Sequence, residues 1–116
     1  MDVFIAVLED PESQHVLVGG NATFSCRIRH AQSSIRWEEL FSDGAIKTFS
    51  QDEGNGVYVR EDRTSSDEYN SILTIVITCS NIQRWNGTSL RCSARTGSGR
   101  PPSNRATLAI HKSLST

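Results

Sequence analysis

Cysteine is the residue type in this 116-residue chain whose placement most clearly implies a covalent bond, and the chain has three: Cys26, Cys79 and Cys92. Cys26 and Cys92 each stand in the middle of a segment in which apolar and polar residues alternate. Each is therefore expected to point inward from a β-strand. Two inward cysteines on facing sheets can be bridged across a core about 10 Å thick. Whichever two of the three cysteines form a disulfide, the third is left without a partner in this chain.

The residue types that could catalyse a reaction or bind a metal are not brought together by any motif. His15, His30 and His111 lie on different predicted elements. The adjacent acids Glu38 and Glu39 point to opposite sides of a predicted strand, so they cannot act as a pair. Metal-ligand spacing is missing as well. We therefore expect no enzymatic activity, no catalytic residue, no metal and no cofactor.

The charged residues are unevenly distributed along the chain, although the formal net charge is only −1. All 13 acidic residues lie at or before Glu68, and the chain after it carries only basic ones. Two interpretations are open. Either the two halves interleave in one sheet structure and neutralise each other, or one face of the protein is basic and suits an anionic partner. A net charge this small gives no general case for binding nucleic acid.

Short alternating segments bounded by turn residues are the elements that must position these side chains. Apolar residues recur at every second position in them, which predicts half-buried β-strands, and no helical period of useful length is present. The principal segments are Val3–Leu8, Ala22–Arg29, Ile35–Glu38, Ile72–Thr78, Thr88–Ala94 and Ala106–Ile110. About seven to nine strands at this spacing predict a two-sheet sandwich or a barrel. No apolar run reaches the about 18–20 residues that span a bilayer.

Four segments together resemble the immunoglobulin superfamily: Val18–Cys26, the strand containing Trp37, Ser71–Ile75 and Asn86–Cys92. The resemblance implies an all-β fold, a two-sheet antiparallel immunoglobulin-like sandwich with Greek-key connections, of variable or intermediate type. The domain is expected over residues 1–112, with a C-terminal tail or linker remnant at 113–116. The resemblance also implies a disulfide between Cys26 and Cys92, with Trp37 packed against it in the core.

The sequence departs from the family pattern just before Cys92. Leu90 stands where the family usually has a tyrosine whose hydroxyl ties down a corner. Asn86 stands where an aspartate usually pairs with an arginine, which here would be Arg60 or Arg63. We therefore expect both contacts to be missing. The preceding turn is also longer than usual, and its Trp85 is interpreted either as a plug at the end of the sandwich or as an exposed anchor for a partner.

Cys79 continues the apolar phase of the predicted strand Ile72–Thr78, and its fate has three interpretations. It is a buried or half-buried free thiol, or it forms an intermolecular disulfide with a cysteine outside this chain. In the third interpretation it pairs with Cys26 within one sheet and leaves Cys92 free.

The expected disulfide implies an extracellular location, on a cell surface or secreted, because such bonds form in an oxidising compartment. Two acceptor sequences for N-glycosylation, at Asn21 and Asn86, agree with that location. By resemblance, the chain is expected to be a recognition or adhesion module of a receptor, of immune type, that binds a protein ligand or another immunoglobulin domain. No nucleic acid partner and no membrane insertion of this fragment are expected.

In a sandwich of this family, the strands carrying Trp37 and Cys92 and the last strand are neighbours in one sheet, which is also the usual pairing surface. Strand parity then places a set of arginines on the outer face of that sheet. This expected ligand face consists of Arg36, Arg91, Arg95 and Arg105, with Arg100 on the adjoining loop. Arginine forks suit carboxylate and sulfate groups. Besides a protein ligand or a homodimer through this sheet, the alternatives are a lectin-like domain for an anionic (sialylated or sulfated) glycan and a structural spacer.

Overall fold

The structure, a computed structural model, describes residues 6–111, and almost all of the regular secondary structure there belongs to two β-sheets. The elements in chain order are β1 (Val7–Glu9), β2 (Gln14–Leu17), β3 (Asn21–Arg29), β4 (Arg36–Leu40), β5 (Ile46–Phe49), β6 (Val57–Arg63), β7 (Glu68–Val76), the helical turn α1 (Ile82–Trp85), β8 (Ser89–Ser93) and β9 (Ala106–His111). One sheet has the strand order β1-β3-β7-β6, and the other has β2-β9-β8-β4-β5. The predicted all-β, two-sheet sandwich is confirmed, and its Greek-key connectivity stays a prediction.

The core lies between the two sheets and is filled by the apolar members of the alternating segments. In β3, Phe24, Cys26 and Ile28 are fully buried, and their sequence neighbours are exposed or half-buried. β3 pairs antiparallel with β7, so that Phe24 lies opposite Leu73 and Cys26 opposite Ser71. The period of two is thus the physical cause of a sheet with one buried face.

Two contacts join the sheets through the middle of this core. Cys26 of the four-stranded sheet and Cys92 of the five-stranded sheet form the disulfide that the family resemblance implied, with their Cα atoms 6.5 Å apart. Trp37 of β4 is fully buried, and its indole Nε1 donates a hydrogen bond of 2.9 Å to the hydroxyl of Ser71 on β7. The indole therefore fills the core and also satisfies its only polar group there.

Strand pairing departs in one place from the antiparallel pattern that was expected. β2 runs parallel to β9, with Gln14 opposite Leu108 and Leu17 opposite His111. β1, by contrast, pairs antiparallel with β3 in the other sheet. Pro11 lies between the two strands and supplies no backbone N–H, so the chain leaves the first sheet there and joins the second.

Two sequence predictions fall partly outside the described residues. The predicted strand Val3–Leu8 begins outside them, and the strand observed in that region is β1. The boundary predicted at residue 112 and the tail 113–116 also lie outside the described residues. Over residues 6–111, no helix is long and apolar enough to cross a membrane.

Replacing Ser71 with alanine is expected to lower the free energy of unfolding by about 1–3 kcal/mol, because the buried indole N–H of Trp37 loses its acceptor. Chemical denaturation under non-reducing conditions measures this difference. Ser25→Ala, at a half-buried serine on β3, is the matched control and should change stability by no more than about 0.5 kcal/mol. Equal stability of Ser71→Ala and the parent chain would show that this link between the sheets contributes nothing.

Candidate functional site

The outer face of the five-stranded sheet carries a glutamate held between two arginines. Glu38 lies on β4 directly opposite Arg91 on β8. Its carboxylate accepts a hydrogen bond of 2.7 Å from Arg91 Nε and one of 3.2 Å from Arg36 Nη2. Only 6% of Glu38 is exposed, since the two longer side chains lie over it. The register of β4 and β8 therefore fixes all three groups on a rigid surface.

Two further arginines extend this surface toward the loop that follows β8. Arg100 Nη1 donates to the hydroxyl of Ser93 over 3.3 Å. Burial, together with the nearby charges of Arg36 and Arg95, lowers the pKa of the Arg100 guanidinium, whereas Glu38 acts in the opposite direction. Burial is the largest cause of that shift, and repulsion between the like charges adds to it. We call Arg36, Arg91, Arg95 and Arg100 the arginine cluster.

The fifth arginine predicted for this face lies outside the strands of the sheet. Arg105 is exposed and precedes β9. β8 and β9 pair at only two positions, Ser89 with Thr107 and Leu90 with Ala106. Within residues 6–111, no hydrogen bond or ion pair joins Arg105 to the arginine cluster. Of the five predicted residues, Arg36 and Arg91 are thus joined through Glu38.

The cluster is positively charged overall and has one unsatisfied donor. The cluster has four guanidinium groups and one paired carboxylate, that of Glu38, which accepts from Arg36 and Arg91. In addition, Arg36 Nε is buried and has no hydrogen-bond partner among the described residues. A buried donor left unpaired costs about 1–3 kcal/mol. Arg36 also lines a cleft of about 290 Å³ with Thr48 of the neighbouring strand and the acids Asp52 and Glu53.

The next residue on β4, Glu39, faces the other way. It forms an ion pair with Arg84 at the end of the sandwich where β4 ends and α1 lies, which we call the lower end. Glu39 is 2% exposed, and its two carboxylate oxygens accept hydrogen bonds of 2.6 Å and 2.7 Å from Arg84 Nη1 and Nη2. Hydrogen bonding to Glu39 raises the pKa of the Arg84 guanidinium, although partial burial acts against it. Glu38 and Glu39 thus point to opposite sides of the strand, as parity predicts.

Trp85 completes this lower end as a plug rather than as an exposed anchor. Its side chain is buried, and the Arg84 guanidinium lies over the indole ring at 3.9 Å. Sequence reasoning did not find the pair between Glu39 and Arg84. The two residues are far apart in the chain, and α1 is a single turn without a helical pattern to predict it.

Leu90 and Asn86, the two residues before Cys92 that depart from the family pattern, have other roles in this structure. Leu90 is fully buried. Asn86 Oδ1 accepts a hydrogen bond of 2.8 Å from the backbone N–H of Ile110, so Asn86 ties the turn to β9 instead of pairing with an arginine. Arg60 lies 3.8 Å from Asp62. Arg63, the other expected partner, donates to the carbonyl of Ser66 and stacks on Tyr69.

Cys79 differs from the expectation that it is buried or half-buried. β7 ends at Val76, and Cys79 stands in the turn that follows, where it is exposed and free. The alternation of β7 cannot orient a side chain beyond the point where the strand stops. Pairing of Cys79 with Cys26 is also wrong, because Cys26 is bonded to Cys92. A bond to a cysteine of another chain stays a prediction.

The three histidines do not form a site, although two of them meet. The rings of His15 and His111 stack with their centroids 5.8 Å apart, across the parallel β2–β9 pair. His30 Nδ1 lies 2.9 Å from an oxygen of Asp67, a partner that sequence reasoning missed. Both residues line a cleft of about 480 Å³ at the end of the sandwich near the loop after β8. Within residues 6–111, no group of three or more histidines, cysteines or acids is arranged to hold a metal.

Both predicted glycosylation positions lie on the protein surface. Asn21 is the first residue of β3, and Asn86 follows α1 directly. Both residues are exposed, and glycosylation of either stays a prediction. Comparison with models of protein families and comparison with curated proteins both give no match to this chain.

Arg84→Met is expected to lower the free energy of unfolding by about 3 kcal/mol, because it leaves the buried Glu39 carboxylate without its counter-charge. Thermal or chemical denaturation measures the loss. Arg60→Met is the control: Arg60 is 77% exposed and lies 3.8 Å from Asp62, so its loss should cost no more than about 0.5 kcal/mol.

The double variant Glu39→Met with Arg84→Met separates burial of the charge from packing of the side chain. It should regain most of the lost stability, because no unpaired charge then remains in the lower end of the sandwich. If Arg84→Met cost no more than the surface control, the ion pair would not hold this end together.

Proposed function

We propose that this chain is a non-catalytic recognition module of the immunoglobulin superfamily, and that its arginine cluster binds an acidic segment of a protein partner. The observation that carries the proposal is a set of four arginines on the outer face of a sheet and its adjoining loop, two of which pair with one buried glutamate. The positive charge there exceeds the negative charge, and arginine forks bind carboxylates in pairs of parallel hydrogen bonds.

Rigidity supports this proposal as much as charge does. Glu38 accepts from Arg36 and from Arg91, and β4 and β8 are hydrogen-bonded neighbours. The two guanidinium groups are thereby oriented before any ligand arrives, which lowers the entropy cost of binding. Arg95 is exposed, and Arg100 is half-buried, at the edge where the next loop begins. A partner can therefore bring its carboxylates to groups that are already in position.

The like charge of the cluster favours an acidic partner over a symmetric homodimer. A twofold axis through this part of the sheet would place one arginine cluster against another copy of itself. Like charges brought together at an interface cost several kcal/mol. A partner with its own acidic patch meets no such repulsion.

Three features support membership of the immunoglobulin superfamily. The sheets have four and five strands, a disulfide joins them, and a buried tryptophan lies beside that disulfide on a central strand. β5 and β6 add strands between Trp37 and β7, as in domains of variable or intermediate type. An extracellular location, in a secreted protein or in a cell-surface receptor with adhesive or immune roles, follows from the same proposal. Disulfides persist in oxidising compartments.

The test measures binding of a fluorescein-labelled peptide of ten glutamates by fluorescence anisotropy. Binding is expected to weaken at least tenfold between about 0.05 M and about 0.5 M salt, because exposed charges are screened over a shorter distance at high salt. Arg95→Ala with Arg100→Ala should weaken binding about tenfold or more, and the variant should unfold at the temperature of the parent. These two residues are chosen because neither one pairs with Glu38.

The matched control is Arg27→Ala with Arg29→Ala, two exposed arginines on β3 of the opposite sheet. It removes the same charge and should leave peptide binding within about twofold. Equal weakening by both double variants would overturn the proposal, since binding would then follow net charge alone. Binding of sialyllactose or of a heparin oligosaccharide without binding of the peptide would favour the lectin-like alternative. Binding of none of these would favour a spacer.

A further inference from the structure

A shallow cleft at the lower end of the sandwich brings a predicted glycosylation position next to an exposed aromatic ring. The cleft has a volume of about 240 Å³ and lies between the end of β4 and the turn before β8. Its lining includes Phe41 and Ser42 from the segment after β4, Asn86 and Gly87 from the turn before β8, and Arg84. Leu40 pairs with Ser89, so the segments that follow β4 and precede β8 are held side by side.

Phe41 is held in place by its own backbone. Its N–H donates to the carbonyl of Ala45, and its carbonyl accepts from the N–H of Gly44, both over 3.0 Å. These bonds close the turn between β4 and β5. The side chain is 42% exposed. The backbone of Phe41 is thus fixed by hydrogen bonds, and this exposed aromatic residue lines the cleft.

Asn86 is fixed just as firmly on the opposite side. Its N–H donates to the carbonyl of Ile82 over 2.8 Å, and its side-chain Oδ1 accepts from the N–H of Ile110 over 2.8 Å. A glycan attaches to Nδ2, not to Oδ1. Glycosylation therefore leaves the hydrogen bond to β9 intact. The sugar is attached to a side-chain amide whose orientation that bond fixes.

We propose that the first N-acetylglucosamine of a glycan on Asn86 packs into this cleft against Phe41. The donor is a lipid diphosphate oligosaccharide: the bond from Nδ2 to sugar C1 forms as the C1–oxygen bond to the diphosphate breaks. The amide loses one proton, and the lipid diphosphate leaves. The apolar face of the sugar covers the ring, and its polar groups remain at the mouth of the cleft. The proposal rests on the secretory location under the proposed function, and it does not depend on the ligand of the arginine cluster.

The experiment compares the full chain with and without one sugar at Asn86. The protein is secreted from cells that make high-mannose glycans, carries Thr23→Ala to remove the acceptor sequence at Asn21, and is trimmed to a single N-acetylglucosamine. Refolded bacterial protein of the same sequence carries no sugar. The melting temperature of the trimmed protein is expected to be higher by about 3–6 °C, which corresponds to about 1 kcal/mol or slightly less for a chain of this size.

Phe41→Ser decides whether the aromatic ring is the cause of that gain. In this variant the sugar should raise the melting temperature by less than about 1 °C. Ile46→Ser is the matched control, because Ile46 is 49% exposed on β5 and does not line the cleft. It should keep the full gain. Three results would overturn the proposal: an unglycosylated Asn86 in secreted protein, no gain from the sugar in the parent, or an undiminished gain in Phe41→Ser. None of them affects binding of the acidic peptide.

Discussion

The disulfide between Cys26 and Cys92 is the constraint on which the remaining structure depends. It joins the two sheets covalently, and closing so long a loop contributes on the order of 4 kcal/mol in the chain-entropy model. The hydrogen bond from Trp37 to Ser71 crosses the same core and links β4 to β7. With β4 held in this way, the alternation of its side chains determines what each side of the sheet can carry.

Three consecutive residues of β4 have three different roles in the structure. Trp37 points into the core, Glu38 orients two arginines on the outer face, and Glu39 binds Arg84 at the lower end. The strongly acidic first part of the chain therefore does neutralise part of the basic second part. It does so unequally, because Glu38 pairs with two of the four arginines of the cluster, whereas Glu39 and Arg84 balance each other. The excess positive charge is left on the outer face.

Local periodicity made much of the fold predictable, and long-range contacts did not follow from it. The inward set of β3 and the opposite orientations of Glu38 and Glu39 follow from the period of two. The end of β7 was misjudged, because Ile77 and Thr78 continue the pattern although the strand stops at Val76. This continuation of the pattern is why Cys79 was expected to be buried or half-buried. Alternation gives the side of a strand on which an arginine lies but not its partner, so the pairing of Arg36 and Arg91 through Glu38 could not be predicted from it.

Peptide mapping of unreduced protein tests the central claim most directly. The protein is alkylated without reduction, digested with protease and analysed by mass spectrometry. The account predicts a linked pair of peptides containing Cys26 and Cys92, with the alkyl group on Cys79 alone, since its thiol is exposed and free. A peptide joining Cys79 to Cys26 or to Cys92 would contradict the packing of the two sheets and the surface derived from it.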